Sequence, residues 1–251
     1  MRVKAAGNVD LVFWRGKAKT LYSLIFKRAS RGSYSRGVLL MDNEKLQKGT
    51  TTVGIVCKDG VILAADKRAT AGFIVNKKTQ KIHKVTDFMA VTMAGLVSDA
   101  QLLVKLIRAE VKLKDLATLR TSTVRETANL LAGMLYMNLR KMSMVPGIVS
   151  FLLGGNDAEG NHLYDLGIDG SVTEVDDYVS DGSGSVFALG VLEALYKKGM
   201  SVEEGVKLAV KSIGAALQRD VNTGNGIDVI VIDSKGVRTV LEKDLNIKIE
   251  V

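Results

Sequence analysis

From Thr50 onward apolar and polar positions alternate: Thr51, Val53, Ile55 and Cys57 share one face, the turn Lys58-Asp59-Gly60 follows, and an apolar run fills residues 61–65. Period-two alternation on both sides of a short glycine-containing turn predicts a β-hairpin. Residues 88–94 read as another strand, whereas residues 96–116 carry their apolar side chains at helical spacing. A second helix is expected from the capping box Thr123-x-x-Glu126 to about Met142, with Leu130, Leu131, Met134 and Leu135 facing inward. Strands follow at 148–154, 162–168 and 171–179, separated by Asn156-Asp157 and Asp169-Gly170 turns. A helix over 186–198 closes at Gly199, and another starts at the capping box Ser201-x-x-Glu204 and ends near Gln218. A last hairpin pairs 227–233 with 237–241 around Ser234-Lys235-Gly236.

Strands, two helices, strands, two helices and strands again predict an α+β fold. Two antiparallel sheets, each covered by a helix pair, would stack as a four-layer αββα sandwich.

Composition changes this picture at one end only. The chain has 251 residues, 47% apolar and 25% charged, with a net charge of +8. Residues 1–40 contain nine Lys or Arg against the single acid Asp10, so the whole excess lies there, and 26 basic residues balance 26 acidic ones in the rest. A neutral body speaks against nucleic-acid binding, which only the leader would support. Residues 1–40 read as a long pro-segment, as translated sequence upstream of a true start at Met41, or as a transit peptide. The expected division is therefore a leader over 1–49 and a working domain over 50–251.

Cys57 is the sole cysteine, and His83 and His162 are the only histidines. No set has metal-ligand spacing, so neither a metal nor a cofactor is expected. No apolar run approaches the ~20 residues that span a membrane, and a cytoplasmic protein without membrane contact is the expectation.

Candidate chemistry starts at Gly49-Thr50-Thr51-Thr52. Three threonines at a strand mouth need no catalytic explanation, since threonine is a good strand former. If the bond after Gly49 were cut, however, Thr50 would carry a free amine with a pKa near ~7.7–8.0, able to take the proton of its own hydroxyl through water. Asp66 ends an apolar run, where a carboxylate wants a partner. A lysine ammonium would suit both, but Lys77, Lys78 and Lys81 are not told apart by position alone. Residues 180–185, Ser-Asp-Gly-Ser-Gly-Ser, are either a flexible turn with a serine cap or a source of amides and the Ser183 hydroxyl for a site. Asp220 ends a helix, where a carboxylate opposes the macrodipole and calls for a specific donor, such as a terminal ammonium.

Gly49-Thr50-Thr51-Thr52-Val53-Gly54, Ala64-Ala65-Asp66-Lys67-Arg68, Met93-Ala94-Gly95, Gly182-Ser183-Gly184-Ser185 and Gln218-Arg219-Asp220 occur in this order. Together they resemble proteasome β subunits of the archaeal type, over a span from Thr50 to about Leu241. The resemblance implies an N-terminal nucleophile hydrolase, a threonine protease made by autocatalytic cleavage between Gly49 and Thr50. It assigns Thr50 as nucleophile and base, Asp66 and Lys81 as the pair that tunes it, and the Gly95 N–H as oxyanion donor. Ser183 and Asp220 would orient the amine, and Thr223 stands where the family usually has a serine. Ala69, Met93 and Val97 match the pocket for the residue before the scissile bond, whose apolar lining favours cleavage after Leu, Phe or Tyr.

The implied partners are homo- or hetero-heptameric β rings, rings of α subunits, ATP-driven unfoldases and unfolded polypeptide substrates. The leader is longer than the resemblance leads one to expect. Two rival readings remain: an unprocessed, structural β subunit that depends on a second β chain, and a small-molecule amidohydrolase of the same nucleophile class. The retained Gly49, Thr50 and Lys81 speak against the first, and the match along the helices against the second.

Overall fold

The computed structural model describes residues 49–245. The expectations for residues 1–48, among them the pro-segment, start-codon and transit readings, lie outside the described residues.

The first hairpin forms as β1 (Thr52–Cys57) and β2 (Gly60–Asp66), with Cys57 opposite Gly60 at the turn. Beyond it come a two-stranded ribbon, β3 (Ala69–Thr70) and β4 (Ile74–Asn76), then β5 (Ile82–Lys84) and β6 (Met89–Gly95). Helices α1 (Val97–Thr118) and α2 (Val124–Arg140) follow, and Thr123 and Glu126 close the expected capping box. The chain continues as β7 (Val149–Asp157), β8 (Gly160–Leu166), β9 (Val172–Glu174) and β10 (Tyr178–Asp181). Helix α3 (Ser185–Leu195) ends before Gly199 is reached, because Tyr196 already has extended backbone. Helix α4 (Val202–Arg219) carries the second capping box on Ser201 and Glu204, and β11 (Gly226–Asp233) with β12 (Gly236–Asp244) completes the fold.

Both large sheets are antiparallel, one in the order β10-β1-β2-β11-β12 and the other β5-β6-β7-β8-β9. Side-chain alternation distributes three apolar layers between them. Val61, Leu63 and Ala65 of β2 meet Ile82, Ala90, Leu152 and Leu163 between the sheets. The opposite face of the first sheet, with Val53, Ile55, Ile62 and Ala64, packs on α3 and α4 through Leu192, Leu208 and Ile213. The outer face of the second, with Val91, Phe151, Leu153 and Leu166, packs on α1 and α2 through Ile107, Leu131 and Leu135. The architecture is the αββα sandwich that the element order predicts.

The pattern fails at residues 171–179, which form two strands rather than one. β9 pairs with β8 in the second sheet and β10 pairs with β1 in the first. The chain changes sheets between them, where the Val175 N–H donates to Leu163 O and Asp177 O accepts from the Val56 N–H. Two consecutive acids, Asp176 and Asp177, fall at this crossing.

No described helix is long and apolar enough to cross a membrane. Cys57, 4% exposed on the α4 side of β1, has its thiol pushed up to about 12 by burial and by the charges of Asp59 and Glu204. The folded protein is therefore expected to resist alkylation by iodoacetamide at mildly alkaline pH and to react fully once denatured, since the thiolate is the nucleophile. Rapid stoichiometric labelling of the native protein would contradict this burial.

Candidate active site

Antiparallel pairing gathers the chemistry at one edge of the sandwich. β1 begins where β2 and β10 end and β11 starts, as the pairs Thr52 with Ala65, Thr52 with Asp181 and Ile227 with Asp66 record. Thr50, Asp66, Ser183, Asp220 and Thr223 thereby converge from distant parts of the chain. The second sheet brings Lys81, which precedes β5, and Gly95, which ends β6 with φ +109°.

Asp66 is fully buried and accepts four hydrogen bonds. Oδ1 accepts from Lys81 Nζ at 2.7 Å and the Thr51 N–H at 3.0 Å, and Oδ2 from the Arg68 and Gly224 N–H groups, each at 3.0 Å. Position alone left three lysines open and the resemblance pointed to Lys81: Lys77 and Lys78 are exposed, whereas Lys81 is 2% exposed. Its three protons go to Asp66 Oδ1, to Thr50 Oγ1 at 3.0 Å and to Gly49 O at 3.3 Å. Burial pushes its pKa below the ordinary lysine value, against the pull of Asp66. Thr50 Oγ1 in turn donates to Gly49 O at 2.8 Å.

The second cluster surrounds Asp220, the C-cap of α4. Its Oδ2 accepts from Ser183 Oγ at 2.6 Å and Thr223 Oγ1 at 2.5 Å, and Oδ1 accepts from the Asn222 N–H at 3.2 Å. The donors that the helix end calls for are thus two hydroxyls and an amide. In the intact chain the Thr50 N–H reaches Ser183 Oγ at 3.4 Å rather than Asp220, and Thr223 contacts Thr51 rather than Thr50.

Ala69, Met93 and Val97 do come together. With Gly49, Thr50, Arg68, Thr70, Lys81 and Gly95 they line a pocket of about 20 Å³, room for roughly one water. Gly49 is held there by Thr70 Oγ1, which accepts its N–H at 3.0 Å, and a Cβ on Gly49 would fall 1.6 Å from Asn222 Cβ. Glycine is required before Thr50 because of this close approach. A far larger cleft, about 890 Å³, lies between α1 and the β5–β6 turn and contains none of these residues. Among the described residues no three His, Cys, Asp or Glu side chains are grouped to hold a metal ion.

Sequence reasoning assigned no role to Arg68 or the Thr51 hydroxyl. Arg68 donates from Nε to Asn225 Oδ1 at 2.8 Å and from its guanidinium to Val221 O at 2.7 Å, tying the α4–β11 loop to the end of β2. Neighbouring Lys67 is buried against Asp228, Glu242 and Asp244 at 3.3, 3.2 and 2.8 Å. Three successive charged residues after an apolar run were the available signal, each satisfying a different partner.

Residues 46–232 match the model of the family described as proteasome subunit. Similar curated proteins are the proteasome subunit beta of Ferroglobus placidus, 44% identical over 78% of this chain and 91% of its own length, and that of Archaeoglobus fulgidus, 45% identical over 76% and 89%. The proteasome subunit beta 2 of Aeropyrum pernix is 42% identical over 78% of this chain and 87% of its own. The chain belongs to the proteasome β-subunit family.

In this β subunit the two members of the buried ion pair are not equivalent. Without Lys81, Asp66 keeps three backbone N–H donors; without Asp66, the Lys81 ammonium keeps only neutral acceptors. Asp66→Asn is expected to cost about 3–5 kcal/mol of stability, as removing one partner of a buried pair does, and Lys81→Met less. Chemical denaturation of the two variants measures the order, and a reversed order contradicts this account of the pair.

Proposed function

We propose that this chain is a proteolytic β subunit of a proteasome core particle, which cleaves itself after Gly49 and then hydrolyses peptide bonds of unfolded proteins with Thr50. The observation that carries the reading is the placement of Thr50 Oγ1, 3.0 Å from the Lys81 ammonium and 2.8 Å from the carbonyl oxygen of the bond to be broken. On this reading residues 1–49 are the leader and residues 50–251 the working domain, assembled in the cytoplasm into seven-membered β rings between α rings and supplied by ATP-driven unfoldases.

Self-cleavage starts with attack of Thr50 Oγ1 on the Gly49 carbonyl carbon. Negative charge gathers on Gly49 O, where Lys81 Nζ already donates at 3.3 Å. The hydroxyl proton passes through water to the departing Thr50 nitrogen, the acyl group moves from nitrogen to oxygen, and water hydrolyses the ester. The leader leaves with a carboxylate at Gly49, Thr50 keeps its hydroxyl and a free amine, and the pocket lined by Ala69, Met93 and Val97 loses Gly49 from its wall.

The same hydroxyl then attacks substrate. The free amine, with a pKa near ~7.7–8.0, takes the hydroxyl proton through water and later gives it to the leaving amine. The field of Lys81 favours the alkoxide, and Ser183 with Asp220 seats the amine. The Gly95 N–H donates to the tetrahedral oxyanion, a contribution worth about 2.7–4 kcal/mol in comparable sites.

Intact mass of the subunit co-expressed with an α subunit tests the reading. Loss of everything through Gly49 in the wild type, with retention of the leader in Thr50→Ala, is the expected result. A leader retained in fully assembled wild-type particles would overturn it in favour of a structural subunit. On fluorogenic peptides the processed particle is expected to prefer Leu, Phe or Tyr before the scissile bond, and a preference for basic residues would refute the pocket assignment.

A further inference from the structure

The Thr51 hydroxyl takes no part in the chemistry above, yet it is fully buried and lies 2.6 Å from Thr223 Oγ1. The Thr51 N–H donates to Asp66 Oδ1 at 3.0 Å, so one residue joins the Asp66–Lys81 cluster to the Asp220 cluster. The protein makes room for it: a Cβ on Gly184 would fall 2.0 Å from Thr51 Oγ1 and 3.0 Å from Thr223 Oγ1.

Donor counting gives the row of hydrogen bonds a direction. A hydroxyl has one proton to donate, and a carboxylate only accepts. Asp220 Oδ2 takes the protons of both Thr223, at 2.5 Å, and Ser183, at 2.6 Å. The Thr223 oxygen is then left to accept from Thr51, and the Ser183 oxygen to accept from the Thr50 N–H. We propose that Thr51 is a positioning residue for proteolysis: its hydroxyl donates to Thr223, keeps the Thr223 proton on Asp220, and so holds Asp220 and Ser183 where they seat the amine of Thr50. The inference rests on the proposed role of Thr50 as nucleophile.

Thr51 does not line the pocket of Ala69, Met93 and Val97, and its hydroxyl lies against Thr223 and Gly184, so its removal acts on turnover rather than binding. A double-mutant cycle of Thr51→Val and Thr223→Val, with Thr51→Ser as the conservative variant, tests this on assembled particles whose leader removal is checked by mass. Thr51→Val is expected to lower kcat about tenfold with KM nearly unchanged, in line with loss of one buried hydrogen bond to a polar network. Thr51→Ser is expected to restore turnover, and Thr51→Val to add nothing in the Thr223→Val background.

Wild-type kcat in Thr51→Val, no rescue by serine, a loss confined to KM, or additive effects of the two valine substitutions would each overturn the proposal. If Thr51→Val does not assemble, Thr51→Ala and Thr51→Ser decide: a kcat lowered by alanine and kept by serine supports the row, and an unchanged kcat in Thr51→Ala overturns it. An unprocessed, inactive wild-type particle would instead sink the nucleophile assignment and this inference with it. A processed, active wild type beside an indifferent Thr51→Val sinks only the latter.

Discussion

A buried ammonium and a buried carboxylate 2.7 Å apart, contributed by segments of different sheets, set the conditions for everything around them. Taking two charges out of water costs several kcal/mol for each ion, and Coulomb attraction offsets this only where the remaining lone pairs and protons are satisfied. Asp66 meets that condition with N–H groups from Thr51, Arg68 and Gly224, and Lys81 meets it with Thr50 Oγ1 and Gly49 O. Four separate stretches of chain must therefore converge on one point. The loop after α4 bends back to present Gly224, and Arg68 clamps that loop through Val221 O and Asn225 Oδ1.

The second carboxylate of the site is held differently. Asp220 lies at a helix C-terminus, where the helix dipole disfavours it, and two hydroxyls with one amide offset that cost. An ammonium with a buried carboxylate makes a fixed positive field at the hydroxyl of Thr50. Hydroxyls around a partly exposed carboxylate make a polar seat at its nitrogen. The hydroxyl and the nitrogen of Thr50 are thus served by two clusters of opposite character, which is what the proposed role, a nucleophile carrying its own base, requires.

Much of the fold was legible because its signals are local. The first hairpin, the two capping boxes and the helix pairs follow from period, turn chemistry and cap residues within a few positions of each other. Strands β3, β4 and β5, with two or three residues each, are too short to show a period. The crossing between β9 and β10 was read as one strand because alternation does not report which sheet a strand joins. Asp66 was legible as a carboxylate after an apolar run. The Thr51 hydroxyl was not, because a threonine at a strand mouth looks the same whether its side chain meets water or Thr223, 172 positions away.

The sequence by itself determined the order of the elements, the family and the residue types available for chemistry, since these depend on patterns between near neighbours and on motifs read in order. The resemblance pointed to Lys81, which position alone did not tell apart from Lys77 and Lys78, but only the tertiary structure brought its ammonium onto Asp66 and Thr50, wedged Gly49 against Asn222, and set Arg68 and the Thr51 hydroxyl against the Asp220 loop. Antiparallel pairing joins the beginning of one strand to the end of another, so Thr51 meets Asp66, 15 positions away, and Thr223, 172 positions away, only once the first sheet has formed, and Lys81 meets Asp66 only when the second sheet stacks on it.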